Sequence, residues 1–513
     1  MHAGRYAFPI LSSALLFALG SVFAAPAHAQ SGLSAEDNAF RANPYPDALD
    51  GHFGFRQAVG DFDGDGVDDI AVVELSRATR VRIYYGNAFA VGAHPLFPFT
   101  WATVDTPEFT NAVVAGDFDG DGDDELALGN RNGADGISEG GHVTIMQRGD
   151  NGAWSVRQTI RQGLGSYVGV DESGDNYGFD LAVGDFNSDG RDDLAIGARS
   201  EVADAPAPST GGGVVFVVYG SATGITGTND RFLTAVDAGL PLISGAGPFQ
   251  FGTALATGDF NGDGEDDLAV GAPNVRCGDG TVGVGAVGVF YGTPSLGLVT
   301  TNARTFQPGT DGLLGTCAEA ANFGAALAAG RFNALGTDGL VIGASLSDVG
   351  GVDGAGAAHL LYGGTNGLDA QNNRLITLAD LPGGAPTTNG QFANVVAVGR
   401  LRSGRYSIVF ASGREPVNGL TMAGAAWVVH TTGAFGTFSA VTAERWTASN
   451  RLGVGAPQAD SGFGSSFAIG DFNDDGLSDL VIGVPDLDDG PDTNAGGIQV
   501  IYQSEFLFRD GFE

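Results

Sequence analysis

The stretch GDFNGDGEDDLAVGAP, Gly258–Pro273, recurs along this chain with small changes. Its relatives are GDFDGDGVDDIAV, GDFDGDGDDELALG, GDFNSDGRDDLAIG and GDFNDDGLSDLVIGVP, with first acidic positions at Asp61, Asp117, Asp185, Asp259 and Asp471. Two worn copies fill the long gap. FGAALAAGRFNALGTDGLVIGAS puts Arg331 at the first position, and FANVVAVGRLRSGRYSIVFASG puts Arg400 there. The seven positions 61, 117, 185, 259, 331, 400 and 471 are 56 to 74 residues apart. That spacing is too regular for seven domains and long for the turn of a solenoid.

Each copy keeps one order. An aromatic–Gly pair comes first in five of them: Phe53-Gly54, Tyr177-Gly178, Phe251-Gly252, Phe323-Gly324 and Phe463-Gly464. An apolar run enters the loop and a second leaves it. A third, such as GVVFVVYG or VGVFYG, follows a variable Gly-rich stretch, and a weaker fourth, such as RFLTAV, completes the unit. Short β-like runs between Gly and Asn/Asp turns suit an all-β chain, in keeping with 85 Gly in 513 residues. Four strands in each of seven units predict a seven-bladed β-propeller of four-stranded antiparallel blades, with the acidic loops between first and second strands. A single blade cannot bury both faces alone, so its neighbours must cover it. The last copy stops after its third strand at Tyr502, and Glu36–Pro46 is the expected source of the missing outer strand.

The seven blades then occupy 53–503, preceded by an N-terminal segment over 30–52 and followed by a tail over 504–513. Residues 1–29 read as an export signal: Arg5, an apolar core over Ala7–Leu19, then Ala-His-Ala before Gln30. No later apolar run is long enough for a membrane helix. The expected address is outside the cytoplasm: secreted, cell surface or periplasm. The formal net charge is −36, and such a polyanion repels nucleic acid. All 24 basic side chains are Arg, which excludes lysine Schiff-base chemistry and a nucleotide-loop lysine.

The loops alternate oxygen-bearing residues. At positions 1, 3, 5, 7 and 9 the candidate metal ligands are Asp61, Asp63, Asp65, Val67 and Asp69 in the first copy, and Asp117, Asp119, Asp121, Asp123 and Glu125 in the second. They are Asp185, Asn187, Asp189, Arg191 and Asp193 in the third, and Asp259, Asn261, Asp263, Glu265 and Asp267 in the fourth. In the last they are Asp471, Asn473, Asp475, Leu477 and Asp479. Position 7 would act through its backbone carbonyl, and a glycine at position 6 permits the bend. Hard oxygen donors in a flexible loop favour Ca²⁺. An EF-hand is rejected because position 12 is Val72, Leu128, Ile196, Val270 or Ile482, not Glu. A plain acidic turn explains one such loop. Five with oxygen at the same side-chain positions point to about five structural calcium ions.

Aromatic–Gly, D-x-[DN]-x-D-G-x-x-[DE] and a GAP-like closure together resemble the FG-GAP repeat of integrin α-subunit propellers. The resemblance runs from Phe53 to Tyr502. It implies that each intact loop binds Ca²⁺ and that the opposite face meets protein ligands. Arg331 and Arg400 depart from the pattern, so their blades are expected to hold no ion, and Asn333→Ala should cost less than Asp259→Ala. In a four-stranded blade the second-to-third and blade-to-blade loops share the face opposite the acidic loops. Cys277 falls in the former in blade four and Cys317 in the entry loop of blade five, so a disulfide is expected.

Other signals read as structural. GISEG at Gly136–Gly140 fits a nucleophile pattern without its strand–turn–helix setting. Arg148-Gly149-Asp150 falls where a turn is needed, and the five mature His are scattered without metal-ligand spacing. Trp101, Trp154, Trp427 and Trp446 suit packing as well as sugar stacking. The expectation is a monomeric, exported binding or adhesion module for a protein or glycan ligand, with no catalytic residues assigned. The alternatives are a lectin, or a secreted polysaccharide lyase or hydrolase on the same scaffold.

Overall fold

The computed structural model describes residues 33–42, 51–75, 80–86, 101–105, 110–131, 140–201, 212–240, 249–277, 283–317, 321–332, 336–402, 405–431, 443–448, 458–488 and 494–503. The export signal, Gly136–Glu139, Asn333 and the tail lie outside them. Seven four-stranded antiparallel sheets form the fold. Six run in sequence order; blade four, for instance, comprises Leu255–Gly258, Asp267–Ala272, Ala286–Tyr291 and Val299–Phe306. In the seventh, Phe467–Gly470, Asp479–Val484 and Gly497–Gln503 are completed by Leu33–Ala42 from the start of the chain. This strand begins earlier than the expected Glu36, and residues 43–46 of that expectation lie outside the described ones. Its register pairs Ala42 with Gly497, the first residue of its partner strand.

The first strands of successive blades contact one another around the ring, so they line the axis. Six of the seven second strands are buried at every residue, as in Asp267–Ala272 and Asp479–Val484, because a neighbouring blade covers each face. The outer strands alternate weakly and meet solvent, as in Val299–Phe306. Among the described residues the core divides into seven apolar clusters, each shared by two adjacent blades. One joins Phe53, Val72 and Tyr84 of blade one to Phe472, Val481 and Val500 of blade seven, closing the ring by burial as well as by strand pairing.

The glycine after the aromatic and the glycine of the preceding blade's second strand meet across four of the seven interfaces. Gly324 has φ +85°, and its carbonyl approaches Gly271 so closely that a Cβ on Gly271 would overlap the oxygen. Only glycine allows that approach. The aromatic partner, Phe323, is fully buried in the interface between blades four and five. Cys277 and Cys317 form a disulfide across the same pair of blades, with Cα atoms 6.1 Å apart. Among the described residues no helix is long and apolar enough to cross a membrane, and a single 3-10 turn, Leu378–Asp380, is present.

Candidate metal centres

Every acidic loop spans the link between a first and a second strand, with registers Gly60↔Asp69, Gly116↔Glu125, Gly184↔Asp193, Gly258↔Asp267 and Gly470↔Asp479. The first Asp folds the loop around its own carboxylate. Asp61 Oδ1 accepts from Asp65 N–H at 3.1 Å, and Oδ2 from Gly66 N–H at 2.8 Å. Asp259 accepts from Gly262, Asp263 and Gly264 at 2.6, 3.2 and 3.3 Å. Asp471 repeats this with Asp475 and Gly476. The glycine at position 6 has φ between +82° and +99° in all five loops. No atom lies within 4 Å of a Cβ placed on Gly66 or Gly264, so the backbone angle, not crowding, selects glycine.

The ninth residue is the buried anchor. Asp69, Asp193, Asp267 and Asp479 are fully buried and Glu125 is nearly so. Asp267 accepts from Phe260 N–H and from Gly292 N–H, both at 2.9 Å, tying the loop to the end of the third strand. Asp69 does the same with Phe62 and Gly86, and Asp193 with Phe186 and Gly220. Burial pushes the pKa of Asp69, Asp193 and Asp267 up to about 8, against the pull of these N–H groups, and loop carboxylates such as Asp63 add to the rise. Asp479 is raised well above its ordinary value for the same first reason. Ligand oxygens of Asp61, Asp63 and Asp69 converge within 4.8 Å, as do those of Asp117, Asp119 and Glu125. Asp63 Oδ1 and Asp479 Oδ2 are buried and have no hydrogen-bond partner. Oxygen-only donors, crowded and unsatisfied, fit a hard divalent cation.

In the third, fourth and last loops an amide stands at position 3. Asn187 Nδ2 donates to Asp193 and Asn261 Nδ2 to Asp263, leaving the amide oxygen as the donor set's neutral member. Two side chains at position 7 reach the neighbouring loop, while Arg191 Nη1 also stands 3.7 Å from Asp189 Oδ1 of its own loop. Arg191 Nε donates to Asp119 O at 3.3 Å, and Glu265 accepts from Ser188 Oγ at 3.0 Å, each reaching the preceding blade's loop. Val67 and Leu477 are buried there.

Two features escaped the sequence reading. Position 8 joins the blades. Asp124 accepts from Asp61 N–H, Asp192 from Asp117 N–H, Asp266 from Asp185 N–H and Asp338 from Asp259 N–H, at 2.9 to 3.2 Å. Asp68 accepts from Asp471 N–H at 2.6 Å and joins blade seven to blade one. The repeated Asp-Asp or Asp-Glu was the signal: two acids in a row serve two blades. The second feature is Arg157, on the outer strand of blade two. Its guanidinium bonds Asp119 and lies 3.0 Å from Glu125 Oε1, so this loop already holds a cation.

The worn blades replace the anchor itself. Gly330 pairs with Gly339 in blade five, where the Phe332 ring crowds the place a side chain would take. Gly399 pairs with Ser407 in blade six. There Ser407 Oγ bonds His430 Nδ1 at 2.7 Å, and His430 Nε2 meets Glu444 at 3.4 Å. Arg331 Nε stands 3.7 Å from Asp338 Oδ1.

Family models match the same places. The FG-GAP repeat matches residues 177–218, 251–290 and 463–501, and an FG-GAP-like repeat matches 61–128. The chain carries FG-GAP repeats. The matched segments contain all five intact loops of this FG-GAP propeller. It is similar to integrin alpha-PS2 of Drosophila melanogaster, at 29% identity over 240 residues, 44% of this chain and 15% of that protein. Integrin alpha-V of Gallus gallus is 29% identical over 234 residues, 44% of this chain and 20% of that one. Phosphatidylinositol-glycan-specific phospholipase D of Rattus norvegicus is 39% identical over 126 residues, 23% of this chain and 13% of the enzyme. The FG-GAP propeller thus spans at most a fifth of these relatives. Among solved structures, Sqt1 from Chaetomium thermophilum aligns with 90% of this chain and 98% of its own at 12% identity and a TM-score of 0.41.

The remaining motifs sit in structural roles. Arg148-Gly149-Asp150 forms the hairpin turn after a third strand, with the Arg148 guanidinium 5.4 Å from the Tyr85 ring. His52 Nδ1 bonds Asp486 at 2.7 Å. Trp154 Nε1 donates to Tyr85, and Trp427 Nε1 to Glu415, both at 3.1 Å.

Proposed function

We propose that this is an exported, calcium-stabilised FG-GAP propeller that acts as a binding module for a protein or glycan ligand on the face opposite the acidic loops. The observation that carries the metal reading is the convergence of carboxylate oxygens in two of the loops, Asp61 with Asp63 and Asp69, and Asp117 with Asp119 and Glu125, with Asp63 Oδ1 buried and without a partner in the first. Asp61, Asp63, Asp65, the carbonyl of Val67 and Asp69 would hold the ion in blade one, and the equivalent sets would hold it in blades two, three, four and seven. A bound Ca²⁺ supplies charge neutralisation that fixes the strand connection, which is structural work and not catalysis. Blade two is the weakest of the five, because Arg157 competes for the same oxygens.

The ligand-binding reading is supported by the division of labour between the faces. One face repeats the same loop, while the other carries the variable connections and the disulfide on a rigid ring. The integrin relatives suggest a protein ligand for such a module; the matched fragment of the phospholipase is too small a part of that enzyme to bring its activity here. Binding of the calcium-loaded protein to a glycan array and to immobilised extracellular-matrix proteins tests the reading. Saturable binding that survives blocking of the acidic-loop face supports it. A reducing-sugar assay on polysaccharides tests the lyase or hydrolase alternative, and turnover would overturn the binding-only account.

A further inference from the structure

The end of the axial channel opposite the acidic loops opens into a cavity of about 290 Å³. Six blades contribute the residues just after the aromatic–Gly position or its equivalent, as in Phe55-Arg56, Phe179-Asp180, Thr253-Ala254 and Ser465-Ser466, and blade two contributes Asn111 and Arg131. In a chain with 60 acids and 24 arginines, this cavity gathers positive charge. Arg56 and Arg131 line it. Arg199 stacks on the ring of Phe179, 3.9 Å from guanidinium carbon to ring centre, and Arg131 stands 5.4 Å from the same ring.

These guanidinium groups are poorly satisfied. Five donors are available on each. Arg56 makes one side-chain hydrogen bond, Nη1–H to Phe55 O at 3.1 Å, and Arg199 Nε is buried with no partner. Arg56 is accessible to water yet enclosed by the ring of first strands, as a group inside a channel is. Burial lowers the pKa of Arg56 and of Arg199, and the charge of Arg131 lowers both further. Asp180 brings an opposing charge to Arg56 and accepts from Leu255 N–H at 2.8 Å. Burial pushes Asp180 up to about 6, with Leu255 N–H and Arg56 opposing the rise. Gln57, also in the wall, has a buried Oε1 with no donor.

We propose that this axial cavity binds a sugar acid, with its carboxylate on Arg56 and Arg131 and a hydroxyl donated to Gln57 Oε1. The assignment rests on the binding-module reading above and names a ligand class for it. A guanidinium pairs a carboxylate through two parallel N–H bonds. The unpaired acceptor on Gln57 asks for an O–H beyond the carboxylate, which a simple anion lacks. The cavity admits about one sugar ring. The formal charge of −36 disfavours a long polyuronate and favours a single acidic unit, free or at the end of a neutral glycan.

The test is a calorimetric or saturation-transfer titration of the calcium-loaded protein with D-glucuronate, its methyl ester, glucose, acetate and a Glu-containing tripeptide. The expected result is that glucuronate binds at least tenfold better than each of the others. Arg56→Gln and Arg131→Gln should each weaken it tenfold or more with no fall in Tm, since removing one charge relieves mutual repulsion. Asp180→Asn, which keeps the acceptor for Leu255, should strengthen it. Equal binding of acetate, or preference for the peptide, overturns the sugar-acid assignment. Glucuronate binding untouched by all three substitutions places the site elsewhere and overturns it too. Failure here, with a ligand still found on the array, leaves the binding-module reading standing; failure of both removes that reading as well.

Discussion

The imidazole of His359 is buried, its ring centre 5.0 Å from that of Phe323 in an edge-on contact. Burial pushes its pKa down to about 4. The unfolded chain takes up a proton near pH 6.5, which the folded chain refuses until about 4. Its contribution is therefore complete above 6.5 and is lost as pH falls through that window, by about 3 kcal/mol. His359→Phe should flatten the acid limb of stability between pH 6.5 and 4, read by denaturant melts across that range; an unchanged slope contradicts the assignment. Asp259 has a different role, folding three N–H groups around itself. Asp259→Ala should cost about 2 kcal/mol in chelator, from the lost caps, and clearly more in calcium. Equal losses in the two conditions would deny the loop its ion. At this scale the alternating oxygens of the loops were legible because each residue type states its chemistry. The roles of Asp124 and Asp192 were not, since an acid that bonds its own loop and one that bonds the next blade look alike in sequence.

Blades are held by what passes between them. Gly271→Ala pushes a methyl group into the Gly324 carbonyl and should cost about 3 kcal/mol or more, seen as a lower denaturation midpoint with an unchanged slope. A loss under 1 kcal/mol would show that the interface yields. In blade two, Arg157 occupies two of the candidate ligands. Arg157→Gln should strengthen the weakest calcium site about tenfold and leave the others alone; a titration with no change in any site contradicts this competition. Second and third strands were readable from their continuous apolar runs, because burial on both faces leaves no polar positions. Outer strands were harder. Thr226–Thr234 starts well before the RFLTAV run that marked it, because its exposed early residues carry no hydrophobic signal. Arg157 was invisible for a related reason: it reaches the loop from an outer strand, across the sheet. In blade six, Ser407, His430 and Glu444 form a hydrogen-bonded set from three strands where the intact loops place an acidic anchor, a set that no local motif announces.

The whole molecule is a ring in which seven shared cores, five acidic loops, one disulfide and a borrowed N-terminal strand enforce closure. Repeat count and spacing were enough to foresee it, since seven similar units of four strands have few ways to bury both faces of every sheet. The axial cavity was not foreseeable, because its arginines come from the entry of one blade and the second-to-third connections of two others. Acids crowd the loop face, and Arg56 and Arg131 line the cavity at the other end of the axis. Without cations the loop face holds buried carboxylates whose ionisation is opposed by burial and by one another. The most direct test is metal analysis joined to a thermal melt on the purified chain, first stripped with chelator and then dialysed against calcium. The account predicts about five calcium ions per chain, one of them weak, with Tm falling by ten degrees or more on stripping and returning on calcium addition, on the order of the shift that several kcal/mol of linked binding produces. No bound calcium, with an unchanged Tm, would contradict it.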